Sequence, residues 1–95
     1  MSRKRFASIW DALEKSATEA ASMRLRAELA NELIERLRQC KLSQSRAAEL
    51  LDVTQPRISD LMRGRLDLFS LDMLVDMAER AGLRTRVVVT RKRAA

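Results

Sequence analysis

The sequence contains no histidine, and it has a single cysteine and a single proline among its 95 residues. One cysteine cannot form a disulfide within the chain, and the lack of histidine removes the commonest metal ligand and general base. Cys40 therefore has no base partner of the usual kind. With only two glycines, the chain also lacks a glycine-rich phosphate loop. These absences argue against an enzyme and predict no cofactor and no metal.

Long apolar runs are also missing. No run approaches the roughly 20 residues that span a bilayer. No apolar signal-peptide segment follows the basic residues Arg3, Lys4 and Arg5. We therefore expect a cytoplasmic protein with no membrane partner.

Aromatic residues make up only 3% of the chain, whereas 46% of its residues are hydrophobic. This composition favours one helical domain with a modest core. The net charge of +6 suggests an acidic partner such as nucleic acid. The excess lies in the tails, since residues 1–5 carry three positive charges and residues 84–93 carry five. The tails could reach phosphates or could simply be solvated.

The sequence pattern of the first half of the chain predicts a short N-terminal segment followed by one long helix. Residues 1–15 read as a basic arm followed by a short apolar turn. The sequence SATE, residues 16–19, matches a capping box, and no helix breaker follows before Cys40. The spacing of the leucines predicts that this helix buries one stripe. The apolar turn comprises Ile9, Trp10 and Leu13, and the stripe comprises Leu25, Leu29, Leu33, Ile34 and Leu37.

Three shorter helices follow, each with a polar residue suited to begin it. Ser43, Thr54 and Ser70 are good N-caps. Pro56 falls in the first turn of the third helix, where its missing N–H costs little. Gly64 and Gly82 fit the positions that close the third and fourth helices. The helical domain is thus expected to cover residues 16–83.

The C-terminal residues have a different pattern. Residues 84–90 are rich in β-branched side chains, with Thr85, Val87 and Val89 on one face, and they predict a strand. One strand cannot satisfy its own backbone groups, so we expect a dimerisation strand that pairs with its copy across a two-fold axis. Addition to a partner protein's sheet and a frayed tail are the alternatives. Residues 91–95 form a basic tail.

The stretch from Gln44 to Leu61 has the pattern of two short helices that cross at a tight turn. Ala48 provides the small residue needed at the crossing, and Asp52 tolerates the left-handed conformation of the turn better than most residues. Ile58 and Leu61 face inward and anchor the second of these helices. The pattern predicts a helix-turn-helix, whose second helix lies in the DNA major groove.

The outward side chains suggest how DNA would be contacted. Glutamine can make paired hydrogen bonds to adenine, and arginine can make them to guanine, so Gln55, Arg57 and Ser59 are predicted base contacts. Polar and basic side chains at helix starts and ends suit phosphates. The predicted phosphate contacts are Gln44, Thr54, Arg63 and Arg65.

Residues 42–66, LSQSRAAELLDVTQPRISDLMRGRL, resemble the helix-turn-helix of the lambda-repressor-like, or XRE, family. Gln44, Ala48, Ile58 and Leu61 fall at that motif's usual positions, whereas Asp52 replaces the usual glycine. Pro56 replaces a residue that often reads bases in phage repressors. The resemblance implies an all-α bundle of four to five helices, with the C-terminal strand pairing across a dimer.

Residues 54–82 are similar to a smaller subfamily that resembles HigA-type antitoxins. The resemblance implies a bacterial protein, nucleoid-associated when DNA-bound, that neutralises a small messenger-RNA-cleaving ribonuclease toxin. It also implies binding, as a homodimer, to an inverted-repeat operator of double-stranded DNA that represses its own operon. A stand-alone XRE-type repressor and a protein-interaction module with the same fold are the alternatives. Ile9, Trp10 and Leu13 could bind the toxin or could fold back onto the first helix.

Overall fold

The computed structural model describes the backbone of residues 3–92 and the side chains of residues 9, 11–13 and 15–92. Four α-helices lie within this part, and a 3₁₀ turn at Leu66–Leu68 connects the last two. The predicted helical class and the predicted caps of the three short helices are confirmed. The helices are α1 (Arg3–Cys40), α2 (Gln44–Leu51), α3 (Gln55–Met62) and α4 (Leu71–Arg80).

Helix α1 is longer than predicted, because it begins at Arg3 and not at Ser16. Residues 3–15, expected to be a basic arm and a short apolar turn, belong to this helix. The chain has neither glycine nor proline before Cys40, so nothing interrupts the helix ahead of the capping sequence. The residues of that capping sequence, 16–19, are exposed in mid-helix. None of the helices that the structure describes combines the length and the apolar character that a bilayer crossing requires.

The hydrophobic core lies between the C-terminal half of α1 and the three shorter helices. Leu33 and Leu37 are buried as predicted, whereas Leu25 is 51% exposed. The difference arises because Leu25 faces an open groove between α1 and α4, whereas Leu33 and Leu37 face the packed core. Burial of these apolar side chains is the main force that holds the fold together. The largest fully buried side chains are Phe69, Leu33, Leu51, Ile58, Leu61, Leu74 and Met77.

Two arginines of α1 donate hydrogen bonds to backbone carbonyls far away in sequence. One Nη of Arg26 donates to the carbonyls of Leu66 and Phe69, at 3.3 and 3.2 Å. Arg36 Nε donates to the carbonyl of Ala81 at 2.9 Å. A charged donor makes a stronger hydrogen bond than a neutral one, so these bonds fix the 3₁₀ turn and the end of α4 against α1.

The C-terminal segment has no regular secondary structure. Within residues 3–92 no strand is present, and the residues after Leu83 form no helix. A lone protomer offers this segment no neighbouring strand with which to pair. The dimerisation strand over residues 84–90 therefore stays a prediction.

Candidate nucleic-acid interface

Helices α2 and α3 meet at a tight turn that the local sequence specifies. Asp52 adopts the predicted left-handed conformation, with φ 55° and ψ 47°. The next residue, Val53, donates its backbone N–H to the carbonyl of Ala48 at 3.0 Å, which closes α2. Ala48 is 7% exposed, and its small side chain lets the two helices approach. The turn thereby places the start of α3 beside the C-terminal end of α2.

Helix α3 begins with a side-chain cap and a proline. The Thr54 hydroxyl accepts a hydrogen bond from the backbone N–H of Arg57 at 3.3 Å. Pro56 lies in the first turn, where no intrahelical partner is available for an N–H group. Ile58 and Leu61 are fully buried, and they turn the opposite side of the helix outward. The inward and outward faces of α3 are therefore as predicted.

Two of the three predicted base contacts lie along one edge of α3. Gln55 is exposed at the start of the helix, and Ser59 is half-buried. These residues are four apart, so their side chains lie one turn apart on the same face. The exposed Pro56 follows Gln55 and lies on the outward face, opposite Ile58 and Leu61. A polar edge at the start of a helix has the form required of a helix that reads bases in the major groove.

Arg57, the third predicted base contact, points elsewhere. One Nη donates to the carbonyl of Leu68 at 3.1 Å. The guanidinium carbon lies 5.5 Å from the centre of the Phe69 ring, within the range of a cation–π interaction. The side chain therefore connects the start of α3 to the 3₁₀ turn, on the flank of α3 away from Gln55.

The predicted phosphate contacts are spread around the same helices. Gln44 is exposed in the first turn of α2, and the Thr54 hydroxyl already serves as the cap of α3. Arg63 and Arg65 each have an acidic neighbour: Arg63 Nη lies 3.0 Å from Asp60 Oδ1, and Arg65 Nε lies 3.7 Å from Asp67 Oδ1. The Arg65–Asp67 pair is exposed and contributes little to stability, so Arg65 can turn to a phosphate at small cost, whereas Arg63 would have to leave a hydrogen bond to the half-buried Asp60.

The predicted dimerisation residues lie apart from α2 and α3. Val87 and Val89 are 83% and 87% exposed in the C-terminal segment. Thr85 is half-buried, and its hydroxyl oxygen is buried with no hydrogen-bond partner among the described residues. As for metals, the side chains that the structure describes contain no group of three or more histidine, cysteine, aspartate or glutamate residues suited to hold an ion.

The protein-family model of the helix-turn-helix domain matches residues 12–90 of the chain. The chain belongs to the helix-turn-helix domain family. This domain covers α1 from its third turn onward, all three shorter helices and the C-terminal segment that precedes the basic tail. Membership of this family supports a role in DNA binding.

A search of solved structures found a chain provisionally named as an XRE family transcriptional regulator. The two chains are 29% identical, with a TM-score of 0.74. The match covers 81% of this chain and 90% of the other. No curated protein matches the chain. The helix-turn-helix fold and the regulator-like neighbour together support DNA-binding transcriptional regulation.

Sequence reasoning missed the residues that hold the helix-turn-helix in place. Phe69 is 1% exposed, and its ring lies under the Arg57 guanidinium. Arg26 of α1 donates a hydrogen bond to the backbone carbonyl of the same phenylalanine at 3.2 Å. Phe69 is one of only two phenylalanines in a chain with few aromatics, and this rarity was the available signal. Nothing in the sequence pattern singled out Arg26.

Proposed function

We propose that this helix-turn-helix domain is a sequence-specific DNA-binding regulator that reads bases with the first turns of α3. The observation that carries the proposal is the exposed start of α3, fixed by the Thr54 cap and by the left-handed turn at Asp52. Gln55 and Ser59 would contact base edges, and Gln44, Thr54, Arg63 and Arg65 would contact phosphates.

Arg57 has two possible states in this proposal. Its guanidinium would have to leave the Leu68 carbonyl and the Phe69 ring before it could reach guanine. If it stays, it contributes by holding the start of α3 in the orientation that Gln55 requires. The two states predict different results for substitution of Arg57. If Arg57 reads a base, its loss changes the base that is preferred at one position of the operator; if it only holds α3, that preference stays the same.

The test is fluorescence anisotropy on DNA from upstream of the protein's own gene, compared with scrambled DNA. Specific binding should exceed non-specific binding by roughly a thousand-fold or more. Gln55→Ala should weaken specific binding by about five- to a hundred-fold, since a paired base contact contributes about 1–3 kcal/mol. Gln39→Ala, an exposed glutamine on α1, is the matched control and should leave binding unchanged.

Equal and weak binding to both DNAs would contradict the proposal. In that case the fold would serve as a protein-interaction module. A loss of affinity in Arg57→Ala with a lowered thermal midpoint would indicate the positioning role of Arg57. A changed base preference at an unchanged thermal midpoint would indicate base reading.

We further propose that the regulator acts as a homodimer on an inverted repeat. Residues 84–90 would pair with a second copy through backbone hydrogen bonds, with Thr85, Val87 and Val89 on one face of the ribbon. Such a dimer would set two α3 helices roughly 34 Å apart, one turn of B-DNA. The high exposure of Val87 and Val89 in one protomer supports this part of the proposal.

The antitoxin role is the finer part of the proposal, and it rests on the resemblance of residues 54–82 to HigA-type antitoxins. A supporting observation is that Ile9 and Leu13, four residues apart on α1, are 42% and 57% exposed. The Trp10 side chain lies outside the described residues. This apolar face would bind a small ribonuclease toxin in the bacterial cytoplasm, and the dimer would repress its own operon.

Co-expression with the product of the neighbouring gene tests the antitoxin role. The full chain should relieve growth arrest by that product, and an Ile9→Asp/Leu13→Asp variant should not, while still binding the operator. Lys15→Gln/Thr18→Asp, an exposed pair on the opposite side of α1 that changes the net charge by the same amount, is the control. A neighbouring gene product that causes no arrest would leave a stand-alone repressor.

A further inference from the structure

A groove of about 770 Å³ separates α1 from α4 on the side where the C-terminal segment leaves the body. Its walls are apolar, and one rim is acidic. The segment after α4 borders the groove without filling it, since Val87 and Val88 line its edge but are 83% and 74% exposed. The apolar walls are Leu25, Leu29, Leu71 and Val75, and the acidic rim is Glu28 and Glu32.

In one protomer, the C-terminal segment leaves hydrogen-bonding groups without partners among the described residues. Leu83 is fixed by a hydrogen bond of 2.9 Å from its N–H to the carbonyl of Ala78. Beyond it, residues 84–92 make no backbone hydrogen bond to any residue that the structure describes. The buried Thr85 hydroxyl has no partner either. Three consecutive exposed valines then lie beside an apolar groove, an arrangement typical of an interface.

The charges on the groove and on the C-terminal segment indicate which chain binds in the groove. Residues 81–95 contain five basic side chains and no acidic one. The chain's own Arg84 and Arg86 also line the groove, but among the described residues neither Glu28 nor Glu32 forms an ion pair with them or with any other side chain. An apolar and basic segment thus matches an apolar groove with an acidic rim, and both are found in the same chain. This complementarity favours a second copy of the chain over an unrelated partner.

We propose that the groove of each protomer holds residues 87–91 of the other protomer. This inference rests on the proposed homodimer and adds a register to it. The segments would run antiparallel about a two-fold axis at Val87, so that Thr85 of one lies opposite Val89 of the other. Directly opposed residues share one face of a ribbon. Since Leu83 and Thr85 are half-buried against their own body, Val89 of the second copy would face the same body.

In this arrangement the second copy places its valines over the apolar walls. Its Arg91, opposite Leu83, would lie close to Glu28 and Glu32. The groove is therefore completed only in the dimer, and each α1 helix contacts both chains. In such a dimer the relative position of the two α3 helices is fixed in two ways. The ribbon joins the C-terminal segments, and each segment also packs against the helices of the other protomer.

Directed disulfide formation between differently tagged, co-expressed chains tests the register and the groove together. Both chains carry Cys40→Ser, because Cys40 is exposed. A chain with Leu25→Cys and a chain with Val89→Cys should form an interchain disulfide on mild oxidation. Met23→Cys, an exposed residue of α1 outside the groove, replaces Leu25→Cys in the control and should not cross-link to Val89→Cys.

The outcomes separate the inference from the proposed function. A dimer in sedimentation without the Leu25–Val89 cross-link would overturn the groove assignment and leave the dimer intact. A cross-link from Met23→Cys as strong as from Leu25→Cys would overturn it as well. A monomer in sedimentation would overturn both the dimer and the groove. Operator binding of the Cys40→Ser parent, measured in parallel, reports separately on DNA recognition.

A second measurement uses charge in place of covalent capture. Glu28→Lys/Glu32→Lys should raise the dissociation constant of the dimer by about three- to tenfold, because each exposed ion pair contributes modestly. Glu35→Lys lies on α1 outside the groove and should leave that constant unchanged. Equal effects of the two variants would mean that the acidic rim makes no specific contact.

Discussion

Asp52 shows how one residue can limit the stability of the turn. A non-glycine residue with φ 55° is held in a conformation that costs free energy, although aspartate tolerates it better than most. Its negative charge also lies at the C-terminal end of α2, where the helix dipole disfavours it. Glycine adopts this left-handed conformation without steric cost, so the turn is a place where stability can be gained.

Asp52→Gly should therefore raise the free energy of unfolding by about 0.5–1 kcal/mol. For a domain of this size, that gain corresponds to a rise of about 2–8 °C in the thermal midpoint. Asp52→Ala is the matched control and should lower the midpoint. Alanine has the Cβ atom that clashes in the left-handed region and lacks the polar side chain that lets aspartate tolerate it. A lower midpoint in Asp52→Gly than in wild type would show that the carboxylate makes a stabilising contact.

The Thr54 hydroxyl is a second single-residue determinant. Thr54→Ala should lower the free energy of unfolding by about 1 kcal/mol, because the N–H of Arg57 loses its cap. Thr54→Ser should restore most of the loss, since it keeps the hydroxyl. Thermal unfolding of the three proteins followed by circular dichroism measures both effects. Thr18→Ala, an exposed threonine within α1, should not lower the midpoint; a fall equal to that of Thr54→Ala would mean that capping is not the cause.

Among the helices, α1 has two halves of different character. Its buried residues begin at Ala30, whereas its described side chains from Ile9 to Ala20 are all exposed. An isolated helix is only marginally stable in water, and most helices in proteins are held by tertiary packing. The N-terminal half of α1 therefore depends on its connection to the packed half, or on a partner.

Hydrogen exchange should reveal this division. Amides of residues 9–20 should exchange at least tenfold faster than amides of residues 30–40. The first group can exchange through local opening of the helix, whereas the second group exchanges only when the whole domain unfolds. Mass spectrometry of exchanged peptides, or NMR, gives the comparison within one sample. Uniform protection along α1 would contradict the prediction and would indicate that the N-terminal half packs against another molecule.

The short helices were predictable because each one is specified by its own residues. The caps Ser43, Thr54 and Ser70 and the left-handed turn at Asp52 are local signals, and the structure has them where the sequence predicted. The start of α1 was not predictable from the capping sequence at residues 16–19. A capping sequence marks the start of a helix only where the residues before it are not already helical.

Long-range side-chain contacts were also beyond sequence reasoning. The hydrogen bonds from Arg26 join residues 40 and 43 positions apart, and no periodicity reports such a partner. The same is true of Arg57, which was predicted as a base contact from its residue type and position. Its guanidinium lies over Phe69 because the 3₁₀ turn brings that ring to the start of α3, and the turn itself was not predicted.

At the scale of the whole molecule, the body and the C-terminal segment are separable. The last buried core residue is Ala81, so no core contact depends on the residues that follow Leu83. Deletion of residues 84–95 should leave the helical content of the protomer nearly unchanged, while converting the dimer to a monomer and removing most of the operator affinity. The thermal midpoint should lose only its dependence on protein concentration and the stabilisation that comes from dimer formation. Sedimentation velocity and circular dichroism on the same sample test this; a truncated protein that stays dimeric would exclude the ribbon.

The arginine-to-carbonyl bonds of Arg26, Arg36 and Arg57 have a consequence for ionic strength. Their acceptors are neutral and the core is apolar, so added salt has little charge-pair attraction to screen within the fold. Phosphate contacts behave differently, because each one releases counterions from DNA and weakens steeply as salt rises. Between 50 and 200 mM salt, operator affinity should fall by about a hundred-fold or more, while the thermal midpoint changes by only a few degrees. Salt would then detach a fully folded protein from its operator.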